Sequence, residues 1–187
     1  MATNLDLEFA HAVVYVCDKA KMIEFYTQVL GFEVTDRGPL GPEDGPEIVF
    51  LSQTATHHHQ LAFLDSREEA GRSNSVNHLA FRSTGSLDDL RALKEVLETN
   101  PDVKGIRPLT HGNAWSVYFA DPEGNGVEVF IDSPWHVNQP QGKPLDLNRS
   151  DDEIIAWTEQ SFASEAEFGS ISDFYTARAE HLANRNG

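Results

Sequence analysis

Cysteine is nearly absent from this chain: of 187 residues only Cys17 is one. An internal disulfide framework is therefore excluded, and a reducing cytoplasm is the expected compartment. Cys17 itself reads as a core or strand-end residue rather than a nucleophile. Long apolar runs are missing too. No segment approaches the roughly 20 apolar residues that span a bilayer, and Met1 to Glu8 has neither the basic start nor the apolar run of a signal peptide. Basic charge is scarce, with 14 Lys and Arg against 30 Asp and Glu and a net charge of −16. Phosphate binding needs a basic surface, so nucleic acid and anionic membranes are not expected partners, and the charge reads as a solubility device. What remains, 40% hydrophobic and 24% charged, is the composition of an ordinary soluble globular protein, and 187 residues suit one compact domain, or one domain plus an appendage. Histidine, by contrast, is plentiful. Several of the 8 histidines sit inside apolar strand patterns, where an imidazole needs a hydrogen-bond partner or a metal.

The chain repeats itself at a shift of 67 residues. The expected strand from Phe9 to Val14 falls on Val76 to Phe81, and His11 falls on His78. The helix expected over Ala20 to Leu30 falls on Leu87 to Leu97, with Ile23, Tyr26, Val29 and Leu30 matching Leu90, Leu93, Val96 and Leu97. That spacing draws one helix face twice. Three strands follow in each copy: about Phe32–Thr35, Glu47–Ser52 and His58–Leu64, then Gly105–Leu109, Ala114–Ala120 and Gly126–Ile131. Gly31 closes the first helix and Ser86 caps the second. The charged stretch Ser66 to Ser75 joins the copies as an exposed loop. Residues 1–132 therefore form one domain of two modules, about 8–65 and 76–132, and residues 133–187 form an extension. Its first part, Ser133 to Ser150 with Pro134, Pro140 and Pro144, reads as an extended arm. Its second part, Asp151 to Ala183, reads as two helices separated near Gly169 and Ser170, apolar enough to pack on the domain or on a second subunit.

A twofold repeat relates four inner-face positions: His11 and His78 on the first strands, Leu61 and Glu128 on the last. Two imidazoles and one carboxylate make a facial triad that leaves several metal positions open. Leucine at the fourth position leaves room for a chelating substrate and O2. Taken singly, each residue reads as a buried core histidine or an edge carboxylate; their joint placement in a repeat favours a metal site.

The repeated strand-helix-three-strand unit resembles the vicinal oxygen chelate superfamily, which includes glyoxalase I, fosfomycin- and bleomycin-resistance proteins and type I extradiol dioxygenases. Asp121 to Phe130, DPEGNGVEVF, is similar to that superfamily's closing hairpin. The resemblance covers roughly residues 8 to 132 and implies an α+β fold of two βαβββ modules forming a cupped mixed sheet around the metal site, with a C-terminal helical extension. Three residues resemble the extradiol dioxygenases in particular. His58-His59-Gln60-Leu61-Ala62 is similar to the His-His-x-Leu-Ala segment that carries a catalytic histidine there, the match falling on His59, and period-2 alternation puts residues 59 and 61 on one strand face. Tyr118 stands ten residues before Glu128, the family spacing of its active-site tyrosine, and faces Glu128 if Asp121 to Asn125 form the turn. His111 resembles the second non-ligand histidine, placed nearer the tyrosine than in the relatives.

The resemblance implies cleavage of a substituted catechol, 2,3-dihydroxybiphenyl-like or other, by O2 at Fe(II) or Mn(II) on His11, His78 and Glu128. His111 or His59 would be the base, His59 would handle oxygen, and Tyr118 would hold the substrate. Proximal and distal cleavage both stay open. Many such enzymes carry four units where this chain has two, so it resembles the smaller single-domain members, and a homo-oligomer is expected. Competing readings are a non-oxidative lyase, isomerase or thiol transferase, which tends to place a ligand where Leu61 stands, and a metal-free bleomycin-resistance-type binding protein.

Overall fold

The repeat in the sequence is a repeat of connectivity. In the computed structural model, which describes residues 7–185, the first copy runs β1 (Ala12–Val16), α1 (Lys19–Gln28), β2 (Glu33–Pro39), β3 (Glu47–Ser52) and β4 (Leu61–Asp65). The second runs β5 (Leu79–Arg82), α2 (Leu87–Thr99), β6 (Lys104–Thr110), β7 (Ala114–Ala120) and β8 (Gly126–Asp132). The outer ends of the 1–132 and 133–187 portions, and most of the Met1–Glu8 reading, lie outside the described residues. No described helix is long and apolar enough to cross a membrane.

Each copy builds its own mixed sheet, ordered β1-β4-β3-β2 and β5-β8-β7-β6. The first strand of each pairs in parallel with the fourth, and the other neighbours are antiparallel. A parallel pair needs a long crossover, which α1 or α2 begins. The chain divides into two compact units: residues up to Arg72 with Pro122–Gly124, and Ser73–Asp121 with the residues from Asn125 onward.

In the first unit Asp18 caps α1 by accepting from Lys21 N–H at 3.0 Å. Gly31, at φ +71°, turns the chain out of the helix, and Phe32 N–H reaches back to Tyr26 C=O. The buried face of α1 is Met22, Phe25 and Tyr26, and the Tyr26 ring meets Phe63 edge-on at 5.1 Å. The buried stripe thus lies one residue off the expected Ile23–Tyr26–Val29 line, and Val96, expected inward on α2, is 47% exposed. The wide stripe of a helix packed on a sheet tolerates that rotation. Glu123 accepts from Cys17 N–H and Asp18 N–H at 2.7–3.0 Å, placing a carboxylate where the first turn of α1 leaves amides unpaired.

The strands begin later than the apolar pattern suggests. β1 opens at Ala12, β4 at Leu61 and β5 at Leu79, so His11, His59 and His78 sit at strand mouths. The β1–β4 ladder opens where Ala12 N–H donates to Gln60 C=O, while Leu7 and Phe9 before it are more than 80% exposed. The alternation rule used to place His59 beside Leu61 therefore does not apply, because residue 59 precedes the strand.

In the second unit Ser86 caps α2, and its N–H and hydroxyl both donate to Asp89. Those bonds hold the Asp89 carboxyl below its ordinary value, the backbone bond first. The extension adds β9 (Trp135–His136), β10 (Lys143–Pro144), α3 (Asp151–Phe162), β11 (Gly169–Ser170) and α4 (Ile171–Arg185). β10 joins the second sheet beside β6, and β11 pairs with β9. Ile154, Thr158 and Phe162, each four apart, form the buried face of α3, and Thr158 Oγ1 accepts from Trp115 Nε1–H at 2.9 Å. The arm and α3 thus cover one sheet of the domain itself.

Gly112 marks how tightly they do so. It has φ +80°, and a Cβ there would lie 2.5 Å from Val137 Cγ1. Gly112→Ala should therefore lower stability by about 2–4 kcal/mol, combining a strained left-handed alanine with overpacking, as read from urea midpoints. A midpoint equal to that of the unmutated chain would contradict this packing.

Candidate metal centre

The structure places the six candidate residues in two groups. His78, Glu128, His111 and Tyr118 belong to the second unit; His11 and His59 belong to the first.

In the second unit, β7 and β8 set the geometry. The Asp121–Asn125 turn is closed by Asp121 N–H to Asn125 C=O, and Asn125 N–H to Asp121 Oδ1, at 2.9–3.0 Å. That register pairs Tyr118 directly with Glu128, as the sequence reading required. Glu128 is 6% exposed. Its Oε2 lies 3.1 Å from His78 Nε2, and its Oε1 accepts from Ser116 Oγ–H at 2.7 Å. His78 Nδ1 lies 2.9 Å from Asn77 Oδ1. An amide oxygen only accepts, so Nδ1 carries a proton and Nε2 is the nitrogen that faces the carboxylate. Nε2 and an anionic oxygen at this distance are bridged either by a proton, as in an imidazolium–carboxylate pair, or by a metal ion. Two donors each about 2.1 Å from one ion, at right angles, sit about 3 Å apart, and a second-sphere acceptor on the other ring nitrogen is usual for a metal-bound imidazole. His78 and Glu128 fit a divalent ion on these grounds. Among the described residues no group of three or more His, Cys, Asp or Glu side chains is arranged to hold a metal ion.

His111 continues the network. Its Nε2 lies 3.0 Å from Tyr118 Oη and 3.7 Å from Glu128 Oε1. Its Nδ1 donates to Gln141 C=O, and its Nε2 shares the contact with Tyr118 Oη, whose hydroxyl is also hydrogen-bonded to the Glu128 carboxylate. Burial first, and then the Glu128 carboxylate, push the Tyr118 hydroxyl far above its ordinary value against the opposing charge of Arg107. Tyr118 is consequently a phenol and a hydrogen-bond donor.

In the first unit the His11 and His59 rings are 4.2 Å apart, centroid to centroid, and Phe50 flanks His59 at 4.7 Å. Burial first, and then the neighbouring His11 and His58, lower the His59 pKa. His59 is thus a neutral imidazole around pH 7, able to take or give a proton. Leu61 is 2% exposed and offers no donor.

Ser116 and Asn77 were missed by sequence reasoning. Ser116 had a signal: it interrupts an apolar strand, two residues from Tyr118 and so on the same face. Asn77 had none beyond adjacency to His78.

A family model of the Glyoxalase/Bleomycin resistance protein/Dioxygenase superfamily matches residues 8–129. Metapyrocatechase of Pseudomonas sp. (strain CF600) is 29% identical over 142 residues, 74% of this chain and 43% of that protein. Biphenyl-2,3-diol 1,2-dioxygenase 3 of Rhodococcus globerulus is 28% identical over 130 residues, 66% of this chain and 63% of that one. The chain thus spans less than two thirds of the length of either relative. A solved glyoxylase/bleomycin resistance protein/dioxygenase domain from Frankia sp. EAN1pec superposes with a TM-score of 0.56 at 18% identity, covering 69% of this chain and 93% of that one, which speaks for the fold alone. Because the family match spans both βαβββ copies, this chain belongs to the Glyoxalase/Bleomycin resistance protein/Dioxygenase superfamily.

Proposed function

We propose that this chain is an extradiol dioxygenase that opens the ring of a substituted catechol with O2, with Fe(II), or alternatively Mn(II), held by His11, His78 and Glu128. The observation that carries the reading is the His78 Nε2–Glu128 Oε2 separation of 3.1 Å beside an imidazole–phenol pair. The names of the two curated relatives support it. Residues 1–132 are then the catalytic domain and 133–187 its extension, and the same proposal includes a homo-oligomer.

When bound, the ion supplies a Lewis acid with open positions for a chelating diol and O2. His78, fixed by Asn77, and Glu128, fixed by Ser116, keep their donor atoms aimed without rotamer search. A substrate hydroxyl entering beside the ion would take the place of the Tyr118–His111 contact, accepting a hydrogen bond from Tyr118 and passing its own proton to His111 Nε2. His111 is accordingly the first base and His59 the second. His59, neutral and flanked by Phe50, holds the proton exchanged with oxygen. A lyase or thiol transferase would use a ligand in place of Leu61, and a metal-free binding protein would have no use for the His78–Glu128 pair.

Isotope labelling tests the reaction. Turnover under 18O2 should place two labelled atoms in freshly formed ring-opened product, and a product with none would overturn the reading. Ser116→Ala should lower metal affinity about 10- to 100-fold by freeing one carboxylate oxygen. Competition with a chelator measures this, and an unchanged affinity would remove Ser116 from the centre.

A further inference from the structure

We propose that Gln139, on the arm after the last repeat strand, is a positioning residue that fixes the ring orientation and tautomer of His111. This rests on the dioxygenase reading for its consequence in turnover, but not for its geometry. Gln139 is exposed, so core packing does not hold it; its amide is nonetheless engaged at both ends. Nε2–H donates to His111 C=O at 2.8 Å, with Asn113 Oδ1 at 3.2 Å and Val137 C=O at 3.3 Å. Oε1 accepts from Gln141 N–H at 2.9 Å. A flipped amide would set oxygen against three acceptors, so the orientation is fixed by its partners.

The bonds close a ring. Gln139 holds the His111 backbone with its nitrogen and the Gln141 backbone with its oxygen, and Gln141 C=O takes the proton on His111 Nδ1 at 2.5 Å. One side chain thereby sets the distance between the histidine's main chain and the carbonyl that orients its imidazole. The rest of the turn is anchored independently. Ser133 N–H donates to Asn113 C=O, Ser133 Oγ–H to Gly112 C=O, and Gly112 N–H to Thr110 Oγ1. Losing Gln139 therefore frees the imidazole without unfolding the loop. With the Nδ1–H tautomer lost, Nε2 carries the proton in part of the molecules. Those molecules offer a substrate hydroxyl a donor where an acceptor is needed.

The test uses the full chain with Gln139→Ala and Gln139→Glu; the latter keeps the acceptor oxygen but has no amide donor. Side-chain 15N–1H correlation spectra, recorded with diamagnetic Zn(II) in place of iron and assigned through His111→Asn, read the tautomer directly. The unmutated chain should show His111 protonated on Nδ1. Both variants should show the two nitrogen shifts moving toward each other while the melting temperature stays within about 2 °C. With Fe(II), kcat on a catechol should fall about 10- to 100-fold with KM changed less than about 3-fold. Spectra and kcat equal to the unmutated chain would overturn the proposal, as would tautomer loss only in step with a lowered melting temperature. If the unmutated chain turns over no catechol, the dioxygenase reading fails, while the spectra still decide the role of Gln139.

Discussion

Glu128→Gln is expected to yield a folded protein that no longer retains a divalent ion through dialysis and shows no O2 uptake. The substitution keeps the shape of the side chain and changes its charge and one donor atom. At 6% exposure the carboxylate is costly to bury, and Ser116, Tyr118 and the His78 and His111 imidazoles gather around it. Glutamine cannot supply the anionic oxygen, and its amide nitrogen would confront either Ser116 or His78. Removing an outer partner of a metal site weakens binding about 10- to 100-fold; removing a direct ligand should exceed that range. Stability without metal should be equal or higher, since a buried charge has been deleted. Metal analysis of the dialysed variant, with calorimetry alongside, reads both effects. Equimolar metal on Glu128→Gln would remove Glu128 from the ligand set.

His59→Gln should separate binding from chemistry. Glutamine can hydrogen-bond but cannot exchange a proton, so the variant should keep iron and lose turnover by about 10²- to 10⁴-fold, the usual range for a general acid–base group. Burial beside Phe50 and the nearby His11 and His58 keep this imidazole neutral, which is the state a proton acceptor requires. Because the His59 ring lies 4.2 Å from that of His11, metal analysis of the variant is an essential control. Iron retention with full activity would refute the assignment, and loss of iron would place His59 in the metal's support instead.

The duplicated architecture was legible because duplication is visible as a shift of the sequence against itself. His11 over His78 is a match of residue type and Tyr26 over Leu93 one of apolar character, and each copy runs strand, helix and three strands as they imply. The Tyr118–Glu128 pairing was legible too, since a hairpin closed at Asp121–Asn125 admits one register. Strand starts were not. An apolar residue such as Phe9 reads the same whether it enters a ladder or precedes one, and only the partner strand decides. The supports were hidden for a similar reason: Asn77, Gln139 and Gln141 act through contacts that no periodicity encodes. The destination of the tail was undetermined between the domain and a second subunit, because the buried face of α3 fits either. Its Thr158 bond to Trp115 resolves that for α3.

The most direct measurement is O2 uptake by protein purified anaerobically and reconstituted with Fe(II), on mixing with catechol and with 2,3-dihydroxybiphenyl. One O2 should be consumed per diol with the appearance of a yellow ring-opened product, and none without the ion. An iron-loaded protein that consumes no O2 with either diol would contradict the account.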